Sequence, residues 1–301
     1  MSLTEILSYP DVAAEFNKYI RVPILEPQVM PKMVAPPRYH DSYALVGTAF
    51  DYCLRFCIAA CNQGLVSEQT WVAEIAVKLM EREEEELPPG LSLEQARKGV
   101  TRARELYQEF LKTKVFTRQF VRATLFLSAL DKAYRTGPET VVLRYLREPL
   151  QYEVEDCMRL LRAIPREMIT AKHRAALNPT FGEASALVNG ADADFVIDET
   201  LVDIKTTKYY QITPTQLNQL VGYRMLLAAC EKGGSTALGQ PIITHGAIYF
   251  SRHAKLERFH YADLIDRWDF LTLSRWFISY VSDNPLEIET LMQRIESAEL
   301  F

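Results

Sequence analysis

Asp192-Ala193-Asp194-Phe195-Val196-Ile197-Asp198-Glu199-Thr200-Leu201-Val202-Asp203-Ile204-Lys205 reads as two short strands around a tight turn. The apolar runs Phe195–Ile197 and Leu201–Val202 flank the polar triplet Asp198-Glu199-Thr200, which is the pattern of a hairpin. A two-residue loop at Asp198 and Glu199 pairs Ile197 with Thr200 and Phe195 with Val202, and sets Asp194 opposite Asp203. Side chains alternate along a strand, so Asp203 and Lys205 share a face and Ile204 points to the other. Two adjacent carboxylates repel, and one tends to keep its proton unless a cation joins them. A hard divalent ion with oxygen ligands resolves that conflict. Lys205 beside such an ion would stabilise charge on a phosphate or help deprotonate the attacking water. An isolated Asp-x-Lys is common in solvated hairpins, so its meaning depends on the surrounding residues.

Upstream, Asn189-Gly190 is a two-residue hairpin signal, since both positions tolerate φ > 0. That register pairs Ser185 with Asp194 and brings Glu183 to the same face as a third carboxylate. Asp192 lies on this face too and rivals Asp194 as a ligand. Downstream, Thr213 is an N-cap, with Pro214 at the first helical position and Gln216 as the capping-box partner. The helix runs to about Cys230, before Gly233-Gly234. Gln216, Gln219, Leu220 and Tyr223 share one face by their spacing. A Gln and a Tyr on that face could reach a phosphate or a metal ligand; the plainer reading is a half-buried Tyr223 and a solvated Gln219.

Together these residues resemble the PD-(D/E)XK nuclease superfamily, in particular its RecB-like exonuclease branch. The resemblance rests on Ala193-Asp194, on Asp203-Ile204-Lys205-Thr206 and on Gln219-Leu220-Val221-Gly222-Tyr223, with Ala193 in place of the usual proline. It covers roughly residues 181–225. It implies that Asp194 and Asp203 are ligands of magnesium or manganese, with the Ile204 carbonyl a further candidate ligand. Lys205 would be the catalytic lysine, and Gln219 and Tyr223 the auxiliary motif. RecB-like nucleases carry an early helix with a Gly-x-x-x-His pattern. Gly47 and Asp51 fall on that spacing here, and Asp51 is either an oxygen ligand replacing the His or a solvated helical Asp. The implied activity is metal-dependent hydrolysis of phosphodiester bonds in DNA.

The rest of the chain sets the frame. Its 301 residues and 48% apolar content suit one large or two modest domains with a sizeable core. No apolar run approaches the roughly 18 residues of a membrane span, and Met1–Pro10 lacks a basic signal-peptide region. The net charge of −5 is unlike that of most non-specific DNA binders. Five cysteines, an odd number, suggest reduced thiols and a cytoplasmic location. Cys53, Cys57 and Cys61 stripe one helix face, a core pattern more often than a metal site. No cysteine follows Cys230, which argues against the iron–sulfur cluster of some RecB-like relatives. The histidines show no zinc-like spacing.

Residues 22–38 carry Pro23, Pro27, Pro31, Pro36 and Pro37 and favour an extended connection. Helices are expected from Ser42 to Asn62, from Trp71 into the acidic run Glu83–Glu86, and from Ser92 to about Lys112. Pro88-Pro89-Gly90 separates the last two, and Gly137-Pro138 stops a later helix. Arg97, Lys98, Arg102, Arg104, Arg118, Arg122, Lys132 and Arg135 make this region basic; they either follow a phosphate backbone or form an ordinary soluble surface. Lys172, His173 and Arg174 are weaker candidates for phosphate contact. Gln151–Ile164, Asp263–Val281 and Pro285–Leu300 read as amphipathic helices, the last packing on the N-terminal helices.

The expected fold is α/β or α+β, with a restriction-endonuclease-like core. A small mixed sheet, Glu183 to Lys205 plus Ile243–Ser251, is flanked by helices below a large helical N-terminal region. The expected divisions are 1–64 as N-terminal segment and core helix, 65–165 as helical insertion or cap, 166–260 as nuclease core and 261–301 as C-terminal helices. The expected partner is DNA, with a partner protein or homo-oligomer also compatible, and no membrane. The rival reading is a catalytically silent domain of the same fold that binds DNA or a protein.

Overall fold

The computed structural model describes residues 2–23, 31–37, 43–66, 70–82, 92–137, 146, 148–230 and 242–299. Pro27, Ser42, the run Glu83–Glu86, Pro88-Pro89-Gly90, Pro138 and Gly233-Gly234 lie outside the described residues.

One five-stranded mixed sheet organises the chain, in the order β1 (Ala175–Leu177), β2 (Phe195–Ile197), β3 (Thr200–Lys205), β4 (His245–Phe250), β5 (Lys255–His260). The β2–β3 hairpin has the register that the alternation requires, Phe195 opposite Val202 and Ile197 opposite Thr200. Asp198 takes φ 50 in its turn. β3 and β4 run parallel, with Lys205 beside Phe250. β5 closes the far edge antiparallel to β4. It is unforeseen in the sequence because it is a charged edge strand: Lys255, Leu256 and Arg258 are exposed, and charges there deter pairing with other chains.

Alternation gives the sheet two apolar faces, and each supports its own cluster. Phe195, Val202, Ala247 and Tyr249 face the helical region. That layer holds α3 (Tyr43–Cys61), α4 (Val72–Arg82), α5 (Leu93–Thr113), α6 (Arg118–Thr136) and α7 (Gln151–Arg162). Val196, Leu201, Ile248 and Phe250 face the opposite layer. It contains α1 (Leu3–Ile6), α2 (Pro10–Tyr19), a short α8 (Glu183–Ala186), α9 (Pro214–Ala229), α10 (Tyr261–Leu264), α11 (Arg267–Val281) and α12 (Pro285–Ser297). The sheet is thus the middle of three layers, and α12 packs chiefly on α9 and α11.

Two local expectations fail for physical reasons. Asn189-Gly190 closes no hairpin. With φ 50 and 109 these residues end a helical turn, and Gly190 N–H donates to the Ser185 carbonyl at 2.8 Å. Left-handed residues terminate helices as readily as they close hairpins. The strand paired to β2 comes instead from Ala175–Leu177. Second, α3 is long and apolar enough to cross a membrane by length and composition, with a mean hydropathy of 1.5 over 18 residues. Its apolarity is accounted for by packing, since Phe50, Cys53, Leu54, Cys57 and Ile58 are all buried in the core. Cys61, at its end, is exposed.

Candidate active site

A cleft of about 550 Å³ opens at the carboxyl end of the parallel pair β3–β4. In open α/β sheets such crevices are where ligands bind. Its floor is the end of the hairpin. Asp203 and Lys205 project to the same face, and Lys205 Nζ lies 2.7 Å from Asp203 Oδ2. The contact is an ion pair by distance but poorly aligned, because the buried Asp203 Oδ2 meets no well-directed donor. Asp194, just before β2, accepts the Ile204 N–H on its Oδ2 at 2.5 Å. That bond pins the carboxylate beside the strand bearing Asp203.

The third wall is α9, whose start is set by a complete capping box at Thr213 and Gln216 with Pro214 in the first turn. Two turns in, Gln219 Oε1 accepts from Lys205 Nζ at 3.0 Å, and Gln219 Nε2 donates to Tyr223 Oη at 2.8 Å. The amide therefore orients the ammonium, and the phenol orients the amide. Gln219 Nε2 also stands 3.4 Å from Thr4 Oγ1, so the N-terminal turn helps wall the cleft.

The helical layer supplies Asp51 and Arg135 from across the cleft. Asp51 Oδ2 meets Arg55 at 2.5 Å, while its buried Oδ1 has no hydrogen-bond partner. Arg135 Nε donates to Asp131 at 2.6 Å, and its guanidinium stands 3.6 Å from Asp192.

These groups strain one another electrostatically. Burial, then the charges of Asp51 and Asp203, push the Asp194 carboxyl well above the ordinary range. Burial pushes Asp203 up as well, against the pull of Lys205. Asp51 is pushed up to about 6, by burial first and by Asp131 and Asp192 among its neighbours, with Arg55 opposing. Burial pulls the Lys205 ammonium down, but Asp203 outweighs it and holds the group firmly protonated. Burial, with Asp203 and Asp194, keeps the Tyr223 phenol protonated.

Asp194, Asp203, Ile204, Lys205, Gln219, Tyr223 and Asp51 thus line one cleft. Glu183 does not join them. It lies on α8, largely exposed, 3.4 Å from Arg294. The hairpin that would have carried it is a helix. Asp192 lines the cleft but turns toward Arg135. An oxygen-only donor set with an orphaned buried carboxylate oxygen matches the chemistry of a hard cation. Among the described residues, no three His, Cys, Asp or Glu side chains already converge as a ligand group.

Six of the other basic candidates have acidic partners. Arg97 pairs with Glu81, Lys98 with Glu94, Arg102 with Glu105, Arg104 with Glu74, Arg118 with Glu155 and Arg122 with Glu148. The backbone N–H groups of Lys172, His173 and Arg174 donate to the Asp198 carboxylate. Burial raises the Asp198 pKa, but these donors outweigh it and hold the group below its ordinary value. Thr4 and Tyr43 also line the cleft; no local motif marks them, because long-range packing alone brings them there. Comparison with protein-family models, with curated proteins and with solved structures found no match.

Proposed function

We propose that the chain is a metal-dependent deoxyribonuclease that hydrolyses phosphodiester bonds, of the RecB-like kind. The observation that carries this reading is the meeting of Asp194, Asp203, Lys205, Gln219 and Tyr223 in one cleft with Asp51 opposite. Asp194 and Asp203 would hold magnesium or manganese, aided by Asp51 Oδ1 and the Ile204 carbonyl. When bound, the ion would supply Lewis-acid stabilisation and an activated water. Lys205, held by Asp203 and Gln219, stabilises the negative charge that builds on the phosphate oxygens in the transition state. Gln219 and Tyr223 position that ammonium. The free cysteines accord with a reducing, cytoplasmic setting.

The second reading is a silent domain that binds DNA or a protein. The net charge of −5 and the acidic partners of the helical arginines favour it. Cleavage of linear, circular and single-stranded DNA with manganese or magnesium separates the two. The native protein is expected to cut, and Lys205→Ala and Asp203→Ala to lose cutting while remaining folded. No cleavage of any substrate by a folded native protein would leave the silent domain as the better reading.

A further inference from the structure

Two cationic side chains line the cleft among the described residues, Lys205 on its floor and Arg135 at its rim. They come from different layers, Lys205 from the sheet and Arg135 from the last turn of α6. Lys205 is committed to the floor through Asp203 and Gln219. Arg135 is held differently. Its Nε is fixed by Asp131, which is almost fully buried and takes a second bond from Tyr52. The side chain is half exposed, and a terminal nitrogen of its guanidinium stands 3.6 Å from Asp192, beyond hydrogen-bonding distance. The root of the fork is therefore aimed, while among the described residues its tip meets a loose ionic partner at the mouth of an acidic cleft. A guanidinium with one edge anchored presents its remaining N–H groups in a plane suited to phosphate oxygens.

The charge balance gives this tip a task. Asp51, Asp192, Asp194 and Asp203 all line the cleft, and a polyanion meets their repulsion before it reaches the floor. A cation at the rim offsets that repulsion where the strand enters.

We propose that Arg135 is a phosphate-binding residue of the cleft. It exchanges its loose contact with Asp192 for a phosphate next to the one at Lys205, so that the nucleic-acid backbone bridges the helical layer and the sheet. This rests on the nuclease reading. The competing role is a strut, Asp131–Arg135–Asp192, that merely ties α6 to the loop before β2.

The two roles predict different couplings between Arg135 and Asp192. If Arg135 grips phosphate, Asp192→Asn releases the guanidinium as well as removing a repelling charge, so it tightens DNA binding more in the native chain than in Arg135→Gln. If Arg135 is a strut, Asp192→Asn acts through the lost charge alone, and its effect is no larger in the native chain than in Arg135→Gln. The test uses the full chain and a fluorescent single-stranded oligonucleotide, with calcium replacing the catalytic ion, over a range of salt. Arg135→Gln is expected to bind about tenfold more weakly, with the slope of log affinity against log salt shallower by about 0.7, the loss of one phosphate contact. Arg135→Lys is expected to recover part of the affinity, because it keeps the charge without the fork. Melting curves establish that each variant folds. If Arg135→Gln does not fold, the same comparison is made between the native chain and Arg135→Lys. Unchanged affinity and slope in Arg135→Gln, or an Asp192→Asn effect no larger in the native chain than in the Arg135 variant, overturns the assignment. If the native protein cleaves DNA in the preceding assay, such a result refutes Arg135 alone; if it neither binds nor cleaves DNA, the nuclease reading falls and the Arg135 assignment with it.

Discussion

Asp194 sits at a cost to the fold. Its carboxyl is buried near Asp51 and Asp203, and its pKa is raised well above the ordinary value. A group whose folded pKa exceeds its unfolded pKa keeps a proton that the unfolded chain has released. It therefore destabilises the fold progressively as pH rises between those two values. For Asp51 that window runs from the ordinary value of about 3.9 to about 6. A divalent cation favours the ionised forms and removes the penalty, so its stabilisation belongs above the window. Manganese is thus expected to raise Tm clearly near about pH 7.5 and hardly at all near about pH 5. A metal-induced shift of equal size at both pH values would contradict a carboxylate site. Asp194→Asn keeps an acceptor for the Ile204 N–H and loses the charge. We expect it to raise the metal-free Tm by about 2–4 °C, while the manganese response and DNA cleavage disappear. A retained manganese response would show that Asp194 is no ligand.

At the scale of elements, a buried ion pair adds to the apolar packing that joins the helical layer to the sheet. Arg252 follows β4 and is fully buried; its guanidinium meets Asp156 of α7 through both nitrogens, at 3.0 and 2.9 Å. It also donates to the Ala35 carbonyl at 3.0 Å. Asp156→Ala leaves Arg252 buried without its carboxylate, which typically costs about 3–5 kcal/mol, whereas Arg252→Ala leaves Asp156 with Arg159 at 3.4 Å. Urea denaturation of Asp156→Ala should show a loss of that order, and Arg252→Ala a smaller one. The double variant Arg252→Met/Asp156→Leu should lose distinctly less than Asp156→Ala, because no lone charge remains. Equal losses in the singles and the double would mean that packing, not charge, holds the joint. The capping box at Thr213 works at the same scale: it sets where α9 begins, and so the turn at which Gln219 meets Lys205.

At the scale of the molecule, the cleft is composite. The hairpin and α9 supply Asp194, Asp203, Lys205, Gln219 and Tyr223, while α3 and α6 supply Asp51 and Arg135. Among the described residues, one apolar face of the sheet is covered chiefly by the helical layer. Residues 166–260 expressed alone would expose Phe195, Val202, Ala247 and Tyr249 to water, and should show no cooperative urea transition by circular dichroism. A sharp transition would make the helical layer a true insertion. The hairpin register, the α9 cap and the shared face of Asp203 and Lys205 were legible in the sequence, because each depends on neighbours within a few residues and on periods of 2 and 3.6. Glu183 was misplaced because left-handed Asn189-Gly190 is compatible with two local structures, and only the pairing of Ala175–Leu177 with β2 excludes one of them. Local pattern thus determined which carboxylates and which lysine share a strand face. Tertiary structure alone decided that Asp51 and Arg135 stand opposite them and that Glu183 points away, because packing between layers has no period along the chain.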